Sequence, residues 1–208
     1  MSKNIGIVCY NTGNIGSIIK LIKKFNHYKI ILVKNKKDFN ACERIILPGV
    51  GSFGVAMNFL REKKLINVIK KFIKGGGHTL AICLGMQLLF SKSEEASGVD
   101  GLGLFKKSVK KIKFQKKFTV PHIGWNSIYN IPSKNMFLKI LNKKKLYFSH
   151  SYAIENLAIN QNKKGIYVKY GSKKFLAMLQ YKNLIATQFH PELSGKLGQL
   201  FFKIFLND

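Results

Sequence analysis

The sequence predicts an α/β fold, with a mostly parallel central sheet, helices on both faces, and antiparallel strands in the C-terminal half. Short β-branched runs alternate with amphipathic helical segments in the first half of the chain, which is typical of parallel sheets. From about Leu102, short β-like segments follow one another with only turns between them, which is typical of antiparallel strands. The 208 residues suffice for a proper hydrophobic core, and we expect one domain over residues 1–208.

The first half of the chain contains the elements of the parallel sheet. Residues 5–9 are an apolar, β-branched run, and apolar residues then recur with helical spacing over 15–25. The predicted strands that follow are 30–33, 44–47 and 79–82. The predicted helices are 55–60, 65–73 and a segment that begins after residue 83 and ends near 91–93.

The second half contains the antiparallel strands and the closing helix. The predicted strands are 109–114, 122–129, 146–149, 166–170, 175–180 and 184–189. We expect a short helix near 134–141 and a longer one over 193–206.

The net charge of +27 comes almost entirely from lysine, because Arg44 and Arg61 are the only arginines. Base recognition and bidentate phosphate binding favour arginine, and the lysines are scattered along the whole chain. We therefore interpret them as a solvated surface and expect no nucleic-acid partner. The alternative is a non-enzymatic polyanion-binding protein, which lysines segregated on one face would favour.

Composition also indicates the compartment. No stretch approaches the roughly 18 consecutive apolar residues of a membrane helix, and the N-terminus lacks the features of a signal peptide. The three cysteines, Cys9, Cys42 and Cys83, show neither a CxxC pair nor metal-ligand spacing. We expect a cytoplasmic protein with reduced thiols, no membrane association, no metal and no cofactor.

The segment 81–87 predicts a reactive cysteine. A short apolar strand precedes Cys83 and a helical pattern follows it, so the cysteine lies on a tight strand-to-helix turn. Unpaired N–H groups and the helix dipole favour a thiolate at such a position. The alternative is a cysteine that is simply a small buried hydrophobe.

Glycines follow the strand 44–47 directly, in Pro48-Gly49-Val50-Gly51-Ser52-Phe53-Gly54. The segment lacks the spacing of a P-loop and the full pattern of a dinucleotide site. It is either a plain turn or a place where backbone N–H groups approach a ligand or a developing oxyanion.

A reactive cysteine needs a base and a group that orients the base. Of five histidines, His190 stands out, because it ends an apolar strand and Glu192 follows two residues later. Cys83, His190 and Glu192 therefore form a candidate nucleophile, general base and orienting carboxylate. His150 also follows a strand, beside the hydroxyl groups of its neighbours.

Two blocks carry a specific resemblance, Cys83-Leu84-Gly85-Met86-Gln87 and Gln188-Phe189-His190-Pro191-Glu192. They resemble the class I, triad-type glutamine amidotransferases, whose fold is flavodoxin-like. Segments 48–53, 93–95, 121–126 and 147–152 resemble, in particular, the glutaminase subunits of imidazole glycerol phosphate synthase, in histidine biosynthesis. The resemblance extends from the first strand to the last helix.

The resemblance implies hydrolysis of glutamine to glutamate and ammonia. It implies a heterodimer in which the ammonia is channelled to a cyclase subunit, a (β/α)8 barrel that makes imidazole glycerol phosphate. It assigns the triad to Cys83, His190 and Glu192. The other roles that it implies are an oxyanion hole at Gly49, Val50, Gly51 and Leu84, glutamine binding by Gln87, Glu95, His150, Ser151 and Tyr152, and a cyclase interface at Asn14, Pro121, His122, Gly124 and Trp125.

The sequence departs from the family pattern at a few positions. Ala81 occupies a position where the family usually has glycine, Cys9-Tyr10-Asn11 replaces an Asp-Tyr turn, and Ser149 replaces a common valine. Two enzymatic alternatives stay open. One is a related glutaminase that supplies ammonia for amination of a surface-polysaccharide sugar, and the other is a cysteine hydrolase of the same broad fold.

Overall fold

The computed structural model describes residues 3–10, 15–25, 27–114, 118–129, 141–155, 157 and 163–207. The strands are β1 (Lys3–Val8), β2 (Tyr28–Val33), β3 (Arg44–Leu47), β4 (His78–Ile82), β5 (Phe90–Ser93), β6 (Phe105–Lys111), β7 (His122–Tyr129), β8 (Lys145–His150), β9 (Tyr152–Ala153), β10 (Lys163–Tyr170), β11 (Lys173–Tyr181) and β12 (Leu184–Thr187). The helices are α1 (Gly16–Ile22), α2 (Lys36–Asn40), α3 (Phe53–Glu62), α4 (Ile66–Lys74), α5 (Leu84–Leu88) and α6 (Gly195–Asn207), with a 3-10 turn at Pro191–Leu193.

A nine-stranded sheet runs through the molecule in the order β2-β1-β3-β4-β12-β11-β10-β7-β8. The pairs from β2 to β12 are parallel, and those from β12 to β8 are antiparallel. The last strand in sequence, β12, therefore lies in the middle of the sheet, beside β4. This arrangement confirms the predicted fold class.

Alternate side chains of the parallel strands pack on opposite faces of the sheet, because the side-chain period of a strand is two residues. On one face, Ile45 and Leu47 of β3 pack with apolar side chains of α3, α4 and α5. On the other face, Ile46 packs with side chains of α1 and α6. Because both faces of these strands are covered by helices, their sequences are nearly continuous apolar runs.

One local prediction was wrong, and one short helix was not predicted. The helix after Cys83 ends at Leu88, and Phe90–Ser93 is a strand that pairs in parallel with β6. An apolar run this short fits either structure, and pairing with a distant segment decides between them. Helix α2 was not predicted; its start is fixed by the Asn35 side chain, which accepts hydrogen bonds from two backbone N–H groups. The helix expected near 134–141 lies outside the described residues, except for Leu141.

The lysines are distributed over the surface. Every lysine whose burial is described is exposed or half-buried, and lysines occur on elements from β1 to α6. This distribution is the one expected of a solvated surface. Among the described residues, no helix has the length and apolarity to cross a membrane.

Candidate active site

Cys83 lies on a strained turn between β4 and α5. Its backbone has φ 44° and ψ −102°, a region that residues with a side chain rarely adopt. The turn is held from both sides, since Cys83 N–H donates to the Thr187 carbonyl (2.6 Å) and Gly85 N–H donates to the Pro48 carbonyl (3.1 Å). A β-carbon on Gly85 would collide with the Leu47 carbonyl, so the turn requires glycine there.

The methyl group of Ala81 does not disturb this turn. Ala81 is fully buried within β4, where it packs in the same core cluster as Leu47 and Ala186. Its backbone is ordinary strand, with pairing to β3 and β12 on either side. The strain is therefore confined to the cysteine itself.

His190 reaches Cys83 because β12 is the neighbour of β4. The register pairs Ile82 with Thr187, so the segments that follow both strands leave the sheet at the same carboxyl edge. The backbone of His190 is fixed by its N–H, which donates to the Tyr147 carbonyl (2.8 Å), and by its carbonyl, which accepts from the Ser194 hydroxyl (2.7 Å).

Glu192 orients the imidazole. Pro191 begins the 3-10 turn, which brings the Glu192 carboxylate back to His190 Nδ1 at 2.7 Å, with side chains only 5% and 4% exposed. The second oxygen, Oε2, is buried without a hydrogen-bond partner among the described residues. Burial alone would lower the pKa of His190, but the charge and hydrogen bond of Cys83 and those of Glu192 raise it to about 10. The imidazole is therefore held as a cation beside the sulfur.

These side chains open onto a cleft of about 440 Å3. Its lining includes Cys83, His190 and the predicted contacts Gly49, Val50, Gly51, Leu84, Gln87, Glu95, Pro121, His150, Ser151 and Tyr152. Glu192 lies behind His190 and does not line it. A larger cleft of about 770 Å3, which includes Tyr129 and Tyr167, shares no lining residue with it.

One of the predicted oxyanion donors, the Leu84 N–H, already has a weak contact within the predicted oxyanion hole. The Leu84 N–H points at the Gly49 carbonyl with a long separation of 3.4 Å. Gly49 packs so closely that a β-carbon there would lie 3.0 Å from Cys83 Cβ, and Gly51 has φ 126°. An oxyanion that used the Leu84 N–H would replace this weak contact, and the neighbouring glycines let the segment adjust.

The predicted glutamine contacts include one carboxylate. Glu95 is half-buried in the cleft lining, accepts a hydrogen bond from the Phe53 N–H, and has its pKa raised by burial. The Glu95 carboxylate would compensate the positive charge of a ligand ammonium group at this position. The Gln87 side chain is buried and donates to the Tyr152 carbonyl at 2.9 Å.

Comparison with known proteins decides the family. A family model described as "Glutamine amidotransferase class-I" matches residues 9–207. The chain belongs to this family. The imidazole glycerol phosphate synthase subunit HisH of Prochlorococcus marinus subsp. pastoris is 44% identical over 198 residues, covering 94% of this chain and 93% of the relative. The HisH subunit of Methanocaldococcus jannaschii is 41% identical, covering 93% of this chain and 94% of the relative.

Solved structures agree on the fold. A glutamine amidotransferase crystal structure has a TM-score of 0.73 at 16% identity, covering 98% of this chain and 97% of that one. PurLQS from Thermotoga maritima also has a TM-score of 0.73, at 18% identity, and covers 100% of this chain and 99% of that one. At these identities the likeness concerns the fold alone.

Some residues of this amidotransferase site were not predicted from the sequence. The Gln188 amide donates a hydrogen bond to Cys83 Sγ at 3.4 Å, although Gln188 is part of a block that the resemblance used. Tyr147, Ser149 and Leu193 also line the cleft. These three residues lie within three positions of His150 or Glu192 in the sequence, and this proximity could have indicated them.

The residues expected at the cyclase interface differ in exposure. On β7, Ile123 and Trp125 are 58% and 53% exposed, Gly124 is half-buried, and His122 is buried. Pro121 is exposed at the rim of the cleft. Asn14 lies outside the described residues. Within the described part of the chain, no group of three metal-ligating side chains forms a metal site.

Proposed function

We propose that this amidotransferase is the glutaminase subunit of an imidazole glycerol phosphate synthase, which hydrolyses L-glutamine to glutamate and ammonia. The observation that carries the chemistry is the alignment of Glu192, His190 and Cys83, with His190 and Cys83 lining one cleft and Glu192 behind the imidazole. The names of full-length relatives at 36–44% identity support the pathway.

The first half-reaction forms a thioester. The Cys83 thiolate attacks the carboxamide carbon of glutamine, and the carbonyl electrons move onto its oxygen. The protonated His190 donates its proton to the amide nitrogen as the carbon–nitrogen bond breaks, and ammonia leaves. The raised pKa of His190 ensures that this proton is present at neutral pH.

The second half-reaction releases glutamate. The now neutral His190 takes a proton from water, the water oxygen attacks the thioester carbon, and the carbon–sulfur bond breaks. The thiolate–imidazolium pair is thereby restored. Glu192 holds the imidazole in one tautomer throughout, since its carboxylate accepts from Nδ1 and leaves Nε2 for the reaction.

The cleft supplies the remaining contacts. Backbone N–H groups of segment 49–51 and of Leu84 stabilise the oxyanion, each with a contribution of about 3 kcal/mol when it is aimed at the transition state. Glu95 compensates the α-ammonium group of glutamine. Ser151, Tyr152, His150 and Gln87 shape the rest of the substrate site.

The partner is the cyclase subunit, a (β/α)8 barrel, which receives the ammonia within a heterodimer. The exposed Ile123 and Trp125 support an interface on this face of β7, because large apolar side chains exposed together mark association surfaces. The proposed interface also includes Pro121, Gly124 and the buried His122 from the same strand region, and Asn14 is assigned to it by the sequence resemblance alone.

The test is reconstitution. The chain is mixed separately with the cyclase subunit of imidazole glycerol phosphate synthase and with a sugar-aminating enzyme, and the aminated product is measured with glutamine or with ammonium salt. We expect glutamine-dependent product only with the cyclase. Product only with the sugar-aminating enzyme would establish the alternative pathway.

A matched pair of variants tests the nucleophile in the same assay. Cys83→Ala should abolish product formation from glutamine while product formation from ammonium salt continues. Cys9→Ala, which removes a half-buried thiol outside the cleft, should retain both activities. Unchanged glutamine turnover by Cys83→Ala would refute the assignment of the nucleophile.

A further inference from the structure

A continuous chain of hydrogen bonds connects strand β7 with the sulfur of Cys83. In its first half, Asn126 Nδ2 lies 3.4 Å from His122 Nε2, and His122 Nδ1 lies 3.0 Å from His150 Nε2. His150 Nδ1 lies 2.9 Å from the Tyr152 carbonyl oxygen. The two imidazoles thus join the antiparallel end of the sheet to strand β9 at the cleft.

In the second half, two glutamines continue from the same carbonyl. Gln87 Nε2 donates to the Tyr152 carbonyl at 2.9 Å and to Gln188 Oε1 at 3.2 Å. Gln188 Nε2 donates to Cys83 Sγ at 3.4 Å. Hydrogen bonds to sulfur are longer than hydrogen bonds to oxygen, so 3.4 Å is a normal hydrogen-bond distance here.

Backbone groups fix the direction of the first half. The Tyr152 carbonyl can only accept, so His150 carries its proton on Nδ1 and leaves Nε2 as an acceptor. His122 must then donate from Nδ1 and accept at Nε2. Asn126 can supply that donor, because its Oδ1 accepts from the Ser127 N–H at 2.8 Å and its Nδ2 also donates to the Lys169 carbonyl at 3.0 Å.

The same carbonyl fixes the second half. Gln87 must direct its Nε2 toward the Tyr152 carbonyl, and the same nitrogen therefore donates to Gln188 Oε1. Gln188 then has only its Nε2 to direct at the sulfur. No group in the chain can be flipped without placing two donors or two acceptors against each other.

Four side chains of this hydrogen-bonded series are buried, and its two imidazoles are neutral. Gln188, His122, Gln87 and His150 are 0%, 2%, 4% and 5% exposed. Burial lowers the pKa of His122 to about 4, and burial together with the charge of His122 lowers the pKa of His150 to about 3. Both rings therefore keep the acceptor nitrogen that the chain requires at neutral pH.

We propose that these hydrogen bonds position the nucleophile: Gln188 donates a hydrogen bond to the Cys83 thiolate, and His122 and His150 are positioning residues that fix the Tyr152 carbonyl, to which Gln87 and through it Gln188 are anchored. A donor directed at the sulfur stabilises the thiolate more than the thiol and restricts the direction in which Sγ points. The proposal rests on the proposed role of Cys83 as nucleophile.

The first test removes the donor next to the sulfur. In the full-length chain, Gln188→Met keeps the length of the side chain and loses the N–H. The rate of Cys83 alkylation by iodoacetamide is followed against pH, with each cysteine resolved by peptide mass spectrometry. We expect Cys83 alkylation at neutral pH to slow by about 10-fold, because the thiolate loses a hydrogen-bond donor. Cys9 in the same sample is the internal control, and its rate should not change.

The second test separates the hydrogen bond of His122 from its stacking. The ring lies between Phe148 and Tyr170, with centroid distances of 4.9 and 4.0 Å. His122→Phe retains an aromatic ring and loses the donor, whereas His122→Asn loses the ring and keeps an N–H near the position of Nδ1. We expect His122→Phe to slow Cys83 alkylation about 2- to 10-fold and His122→Asn to restore it.

A measurement on the unaltered chain covers the case in which a variant does not fold. Imidazole 15N NMR should show His122 and His150 as neutral Nδ1–H tautomers across the neutral pH range. A proton on His150 Nε2, an unchanged Cys83 rate in Gln188→Met, or equal rates in the two His122 variants would overturn the proposal. These readouts need neither glutamine nor a cyclase, so loss of the proposed glutaminase function would not alter them.

Discussion

The Glu192–His190 hydrogen bond should add to the basicity that Cys83 gives to the imidazole of His190. Glu192→Gln keeps the shape and an acceptor oxygen but removes the charge. The bond is 2.7 Å long between side chains that are about one-twentieth exposed. Hydrogen bonds to charged groups contribute about 1.5–3 kcal/mol, which corresponds to roughly 1 to 2 pKa units. NMR titration should therefore give a His190 pKa near 10 in the parent chain and a value lower by that amount in the variant.

The same bond predicts how stability depends on pH. The folded pKa of His190 lies above its ordinary value of 6.5, so its stabilising contribution is complete below pH 6.5 and is lost as the pH rises toward about 10. The free energy of unfolding of the parent chain should fall across this window. Glu192→Gln should fall less steeply, as measured by urea denaturation at a series of pH values.

Glu155→Gln is the control for both experiments. Glu155 pairs with Lys173 at 2.8 Å on a partly exposed surface, and this pair does not involve His190. Its loss should leave the His190 titration unchanged. If Glu192→Gln also left the His190 pKa unchanged, the Glu192 carboxylate would contribute nothing to the basicity of the imidazole, and its orienting charge would be refuted.

Two further predictions concern the turn and the substrate. Gly85→Ala drives a methyl group into the Leu47 carbonyl and should destabilise the fold by about 2 kcal/mol or more in chemical denaturation, whereas Gly54→Ala in α3 should change stability by less than about 1 kcal/mol. Glu95→Gln should raise KM for glutamine about 10-fold in the reconstituted complex, because a charged hydrogen bond is lost, while kcat changes little. Glu94→Gln, at an exposed neighbouring carboxylate, should leave KM unchanged.

The predicted order of elements agrees with the structure where hydrophobic patterning was strong. Strands β3 and β7 begin and end at the predicted residues, and the switch from parallel to antiparallel pairing was anticipated. Helix α2 was not predicted because five residues are too few to show a helical period in hydrophobicity. Its start depends on one capping side chain. Strand β5 was not predicted because it is stabilised by pairing with β6, which lies beyond an intervening loop.

The candidate site was predictable to the level of residue types at strand ends. Cys83 and His190 could be brought together because parallel strands end at the same edge of a sheet. The bond from Gln188 to the sulfur and the contact between Leu84 and Gly49 could not be predicted, since each depends on how a side chain or peptide turns toward a separate element. Patterning constrains which residues are buried, but it does not determine the direction of their hydrogen bonds.

The position of β12 also determines when the chemistry can first arise during synthesis. Cys83 leaves the ribosome roughly a hundred residues before His190, which at about 5–20 residues per second is on the order of 5 to 20 seconds. Throughout that interval the thiol has no imidazolium beside it and behaves as an ordinary cysteine. The insertion of the last strand into the middle of the sheet then brings His190 beside Cys83.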